Sequence, residues 1–172
     1  MKTVLIGYMG SGKSTIGRLL AEKKNFSFID LDDYIEEKEN MTVSEIFENK
    51  GEIYFRKQEH HYLKEILALK QDVILSLGGG TPCYAGNMDI IIAEDDTDTV
   101  YLKTSIETIV QRLMNEKSQR PLVARLEKGD LHEFIAKHLF ERSHFYNQAN
   151  HKLTVDAKKV TEIVTELALL LG

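Results

Sequence analysis

The stretch Gly7-Tyr8-Met9-Gly10-Ser11-Gly12-Lys13-Ser14-Thr15 follows the apolar run of residues 2–6 and opens directly into a segment of helical periodicity. Residues 7–14 fit the pattern G-x-x-x-x-G-K-[ST], a loop that holds nucleotide phosphates. Its glycines let the backbone wrap so closely that successive amide hydrogens face phosphate oxygens, and the helix behind it adds a positive end. Lys13 is then expected to reach the β- and γ-phosphates, and the Ser14 hydroxyl to face Mg²⁺. A bare glycine turn would not require a strand before it and a helix after it. The loop therefore predicts a nucleotide and a magnesium ion while leaving the reaction open.

Working outward, residues 13–24 place Ile16, Leu19 and Leu20 on one helical face, with lysines in the last turn. Residues 26–30 form a second short strand that ends in the acidic cluster Asp30, Asp32 and Asp33. Thr42 and Glu45 have the spacing of a capping box. Gly51 then breaks the chain before a long amphipathic stretch that counts Ile53, Leu63, Ile66 and Leu67 among its apolar positions. Residues 73–77 repeat the opening theme, an apolar strand emptying into Gly78, Gly79 and Gly80 with Pro82 behind them. A strand over 99–102 leads to a helix capped by Thr104 and Glu107, residues 116–130 read as a loop or lid, and helix returns over 132–149. A last strand at 152–155 and a closing amphipathic helix complete the chain. Short apolar strands alternating with helices predict an α/β fold around a mostly parallel sheet.

The totals narrow the function classes. A chain of 172 residues suits one domain. Its net charge of −5 offers no basic excess for displacing counterions from nucleic acid, so any cationic site must be local. The single cysteine, Cys83, excludes an internal disulfide and fits a reducing compartment. No apolar window approaches the length of a membrane span, and the first residues lack the pattern of an export signal, so a cytoplasmic location is expected.

Phosphoryl transfer needs positive charge near the γ-phosphoryl, a metal and an acceptor held in line. Asp30 and Asp32, after a strand, suit magnesium, substrate hydroxyls or proton abstraction, although the same cluster also fits a helix cap. Arg56, Arg120 and Arg142 carry the planar fork that matches carboxylate and phosphate. Gly78, Gly79 and Gly80 either admit a substrate close to the backbone or form a tight turn. His60 and His61 lack a spaced partner for zinc and read as a solvated helix face. Cys83 reads as a small packed residue just past the glycines.

As a set, these residues resemble the shikimate kinases. "GYMGSGKST", "DLD" at Asp30 to Asp32, "GE..FR..E" around Arg56, "LGGG" ending at Gly80, "RPL" at Arg120 and "ER...Y" at Arg142 to Tyr146 occur in that family's order and rough spacing, over essentially the whole chain. The resemblance implies a nucleoside-monophosphate-kinase-like α/β fold, a three-layer sandwich with a five-stranded parallel sheet flanked by helices. It implies a substrate-binding region over about 31–60 and a mobile lid over about 115–130. The implied reaction is ATP-dependent phosphorylation of the 3-hydroxyl of shikimate, toward chorismate and the aromatic amino acids, by an expected monomer with no nucleic-acid or membrane partner. By likeness, Arg56 and Arg142 hold the shikimate carboxylate, Asp32 binds ring hydroxyls beside the attacking one, and Gly78, Gly79 and Gly80 line that pocket. Gly10, Ser11, Gly12, Lys13, Ser14 and Thr15 bind ATP, with Arg112 near adenine. Arg120 on the lid reaches the transferring phosphoryl beside Lys13. Ser14 ligates Mg²⁺ directly and Asp30 acts on it through water.

The chain departs from the family pattern in two places. Asn147 and Gln148 replace an acidic residue after Tyr146, and Thr81-Pro82-Cys83 stands where small apolar residues are frequent. Neither departure falls on a residue given a chemical role. A gluconate kinase of similar fold, a nucleotide switch and a nucleotide-holding module without turnover remain the rival readings. No N-K-x-D guanine-reading segment is present to favour the switch.

Overall fold

The computed structural model describes residues 1–116 and 126–172. Five strands, β1 (Lys2–Ile6), β2 (Ser27–Asp30), β3 (Val73–Ser76), β4 (Thr97–Lys103) and β5 (His151–Thr154), pair in the order β2-β3-β1-β4-β5, and every pairing is parallel. Eight helices connect or flank them among the described residues: α1 (Lys13–Lys24), α2 (Leu31–Glu39), α3 (Val43–Lys50), α4 (Glu52–Leu67), α5 (Asn87–Ala93), α6 (Ile106–Asn115), α7 (Lys128–Tyr146) and α8 (Val160–Leu170). A 3₁₀ turn occupies Thr81–Cys83.

Parallel strands carry helices on both faces, so their side chains alternate between two apolar layers. Val4 and Ile6 of β1 join Leu75, Tyr101 and residues of α2, α4, α6 and α7 in one cluster. Leu5, Ile74, Val100 and Leu102 join Ile16 and Leu20 of α1 and Ile163, Val164 and Leu167 of α8 in the other. Gly17 explains how closely α1 sits, since a Cβ there would lie 2.6 Å from Phe28 Cε2 and 3.1 Å from Leu5 Cδ1. Leu19, expected on the buried face, is 38% exposed, because Ile16 and Leu20 already fill the width of the contact. Ile53 is likewise exposed, and the apolar face of α4 is formed by Phe55, Leu63, Ile66 and Leu67.

The capping box at Thr42 and Glu45 forms as expected. Before α6 the cap is Ser105, one residue later than expected, and its hydroxyl accepts from the Thr108 amide. Asp156 accounts for the shift by accepting from both the amide and the hydroxyl of Ser105. The expected lid at 115–130 begins with the last residue of α6 and ends within α7, and its residues 117–125 lie outside the described residues.

Ligands of open parallel sheets gather at the carboxyl ends of the strands, where the chain order reverses. Here β1 is central and flanked by β3 and β4. Asp30 pairs in register with Ser76, and Ser76 with Leu5. The acidic cluster, the glycine turn and the phosphate loop therefore leave the sheet side by side.

Candidate active site

Gly10 and Gly12 take left-handed φ values of 77° and 88°, a conformation that costs a residue with a Cβ about 1–2 kcal/mol. Gly12 is the N-cap of α1 and supplies no side chain to the first helical amides. Those N–H groups and the positive end of α1 form an anion nest. Lys13, 8% exposed, donates from Nζ to the Gly7 and Tyr8 carbonyls at 2.7 and 3.0 Å, which brings its ammonium to the entry of the loop. On the opposite side, Arg112 Nη1 donates to the Gly10 carbonyl at 2.7 Å and ties α6 to the loop.

Ser14 Oγ donates to Asp30 Oδ2 at 2.6 Å. The other oxygen, Asp30 Oδ1, accepts from the Asp32 and Asp33 amides at 3.0 and 3.3 Å and caps α2. Asp30 is thus a helix cap and also bonds a residue of the phosphate loop. Its cap hydrogen bonds fix the start of α2, which carries Asp32. Burial pushes the Asp32 carboxyl up to about 7, and the negative charges of Asp30 and Glu59 add to the rise while Lys13 opposes it.

Each glycine after β3 lies against one charged side chain. A Cβ on Gly78 would lie 3.2 Å from Asp32 Oδ1, one on Gly79 would lie 3.1 Å from Arg142 Nη1, and one on Gly80 would lie 2.8 Å from Arg56 Nη2. The turn has no side chains because a carboxyl and two guanidinium groups crowd against its backbone. Tyr146 supports it by donating from its hydroxyl to the Gly79 carbonyl at 2.5 Å. Arg142 lies with Cζ 5.5 Å from the centre of the Tyr8 ring. Arg56 Nη1 donates to Glu59 Oε1 at 2.8 Å, and its Cζ stands 3.9 Å from the centre of the Tyr84 ring.

A cleft of about 570 Å³ opens over the phosphate loop, the acidic cluster and the first two glycines of the turn. Gly10, Ser11, Gly12, Lys13, Ser14, Thr15, Asp30, Asp32, Gly78 and Gly79 line it together with Arg112, Glu116, Lys158, Val160 and Ile163. The structure thus gathers every described residue expected at the site around the cleft and its adjoining turn. Arg120 lies outside the described residues.

Residues 9–171 match the family model for shikimate kinase. The chain belongs to the shikimate kinase family. A shikimate kinase of Flavobacterium johnsoniae is 49% identical over 166 residues, covering 96% of both chains. The crystal structure of the Bacteroides thetaiotaomicron shikimate kinase superposes with a TM-score of 0.92 at 37% identity, covering 99% of this chain and 98% of that one. The solved structure of the Acinetobacter baumannii shikimate kinase in complex with shikimate superposes with a TM-score of 0.88 at 30% identity, covering 99% of this chain and 92% of that one. Kinases of this family use ATP as co-substrate.

Some residues at the shikimate kinase site carried no expectation of their own. Glu59, 1% exposed, accepts from Arg56 and also from Thr81 Oγ1 at 2.8 Å. Its signal was present in the sequence, since an acid three residues after Arg56 shares its helical face. The departure at Thr81 thus stands one hydrogen-bonded residue away from Arg56. Lys158, Val160 and Ile163 enter the cleft wall from α8 and the segment before it, with no motif to announce them. His60 is half-buried, with its Nδ1 2.7 Å from Asn87 Oδ1, while His61 is exposed as expected.

Proposed function

We propose that this chain transfers the γ-phosphoryl group of ATP to the 3-hydroxyl of shikimate, giving 3-phosphoshikimate and ADP on the route to chorismate and the aromatic amino acids. One observation carries the reading beyond family membership: Asp32, Arg142 and Arg56 meet a three-glycine turn at successive positions, beside the phosphate loop. A small polyol acid needs this combination, guanidinium forks for its carboxylate and a carboxylate for its hydroxyls.

In this reading Arg56 and Arg142 hold the shikimate carboxylate, and the bare backbone of Gly78, Gly79 and Gly80 lets the ring approach. Asp32 accepts from the ring hydroxyls. With its carboxyl near 7, it is about half ionised at neutral pH and suited to take the proton of the attacking hydroxyl. The hydroxyl oxygen bonds to the γ-phosphorus, the bond from that phosphorus to the β,γ-bridging oxygen breaks, and ADP leaves with those electrons. Lys13 and the loop amides hold the phosphates, and Arg112 closes the nucleotide side through its bond to Gly10. Arg120 is assigned to the transferring phosphoryl on family likeness alone.

The all-oxygen pair of Ser14 and Asp30 fits a hard cation. No group of three or more His, Cys, Asp or Glu is placed to hold a metal among the described residues, so the fit is to an ion that takes its remaining ligands from phosphate and water. Magnesium bound there supplies charge neutralisation to the phosphate oxygens.

The chain acts as a single domain over 1–172, with residues of about 31–60 for substrate and about 115–130 as lid. A monomer is the proposed state. No helix among the described residues is long and apolar enough to cross a membrane, and dependence on ATP together with a lone thiol suits the cytoplasm. The test is ADP release from Mg-ATP with shikimate, with gluconate or with no acceptor. Release that depends on shikimate supports the reading; release driven by gluconate or independent of acceptor overturns it.

A further inference from the structure

Glu59 has two donors from opposite directions, Arg56 Nη1 on Oε1 at 2.8 Å and Thr81 Oγ1 on Oε2 at 2.8 Å. An ionised carboxylate only accepts, so the Thr81 hydroxyl must donate to it. Thr81 is fully buried and is itself held: its amide donates to the Gly78 carbonyl at 3.1 Å, and its carbonyl accepts from Asn87 Nδ2 at 2.9 Å. Asn87 is fully buried as well, and because its amide nitrogen is committed to Thr81, its Oδ1 receives the Nδ1 hydrogen of His60 at 2.7 Å. Hydrogen bonds thus link His60, Asn87, Thr81 and Glu59 in series. The series ends at the guanidinium that Gly80 approaches within contact distance.

We propose that Thr81, anchored by Asn87, is a positioning residue for acceptor binding, fixing the Glu59 carboxylate so that Arg56 is held ready for the carboxylate of the acceptor. This rests on the assignment of Arg56 to shikimate above. Glu59 has two rotatable bonds beyond its Cβ before the carboxylate, and a single partner would let the pair swing together. The Thr81 hydroxyl fixes the far oxygen and hence the plane of the carboxylate. Pre-organising one fork of a carboxylate clamp lowers the ordering cost of binding.

The experiment is steady-state kinetics of Thr81→Val and Thr81→Ser beside the wild type, with each substrate varied, and the same Thr81→Val change made in an Arg56→Ala background. Loss of a hydrogen bond to a buried carboxylate predicts that Thr81→Val raises the KM for shikimate about tenfold, with kcat and the KM for ATP changed less than about twofold. Thr81→Ser, which keeps the hydroxyl, restores the wild-type KM. In the Arg56→Ala background Thr81→Val has no further effect on it, because the group it positions is gone. If Thr81→Val does not fold, Thr81→Ala removes the hydroxyl without burying a second methyl and gives the same comparison. An unchanged KM for shikimate, an equal rise in both KM values, or a full effect retained without Arg56 overturns the inference while leaving the kinase reading intact. A wild type without shikimate-dependent turnover overturns both.

Discussion

At the scale of the residue, Asp32 shows how burial prepares a group for chemistry at a cost in stability. Its carboxyl binds a proton more tightly in the folded chain than in the unfolded one. Between its ordinary value of 3.8 and about 7 the folded state therefore carries more protons, and stability falls as pH rises through that window. Asp32→Asn removes the slope. The variant is expected to melt at a higher temperature than wild type above neutral pH, and to lose turnover by about 100-fold or more. Thermal midpoints of both proteins across the window check the first claim, and parallel curves would refute the raised pKa. Wild-type kcat/KM for shikimate should rise with pH to a plateau, with a midpoint near 7. Arg142 makes a different demand, because its Nη1 lies 3.1 Å from where a Cβ on Gly79 would stand. Arg142→Ala is expected to weaken shikimate binding by roughly 2–4 kcal/mol, as for a desolvated charge pair, with KM for ATP little changed. An unchanged KM for shikimate would remove Arg142 from the site.

At the scale of the element, the glycine turn after β3 and the loop after β1 use glycine for different reasons. Gly10 and Gly12 require positive φ, whereas Gly80 has an ordinary φ of −87° and is bare only because Arg56 Nη2 would lie 2.8 Å from a Cβ. Gly80→Ala is therefore expected to leave stability within about 1 kcal/mol of wild type, since the backbone already suits alanine and the crowded atom ends a side chain. It should nonetheless raise the KM for shikimate, because Arg56 must yield its place against Glu59 and Tyr84. A melting curve and a shikimate titration of the one variant separate the two effects; a lost fold with a normal KM in the remaining enzyme would mean that the turn is purely structural. The sequence left the glycines after β3 open between a close approach to the backbone and a tight turn, and the side chains that crowd them were not legible there. The phosphate loop and the Thr42–Glu45 cap were legible because each closes within a few residues. The cap of α6 slipped by one residue because Asp156, far along the chain, decides it. Glu59 and Thr81 are 22 residues apart, and their bond exists only because β3 delivers the turn to the flank of α4.

At the scale of the whole molecule, the alternating apolar pattern was enough to predict a parallel α/β sheet, since the strands must be covered on both faces. Strand order is set by packing between distant segments and was not legible in the sequence, whereas the gathering of Arg56 and Arg142 at one site came from the family resemblance. The sheet divides the resulting site into two anchored halves. The nucleotide half rests on β1, the head of α1 and Asp30 at the end of β2; the acceptor half rests on the turn after β3 and on α4 and α7. Arg56, Glu59 and Thr81 make their bonds with one another and not with Ser14 or Asp30. Chelation of magnesium should therefore abolish shikimate-dependent ADP release while leaving the calorimetric Kd for shikimate within about twofold of its value with the metal, because Arg56 is held by Glu59 and Glu59 by Thr81, not by the residues that would hold the metal. Loss of shikimate binding on chelation would show that the halves are coupled, with Asp30 as the candidate link because its carboxylate joins Ser14 to the amide of Asp32. Turnover that survives chelation would instead remove the metal from Ser14 and leave the phosphates to Lys13 and the loop amides.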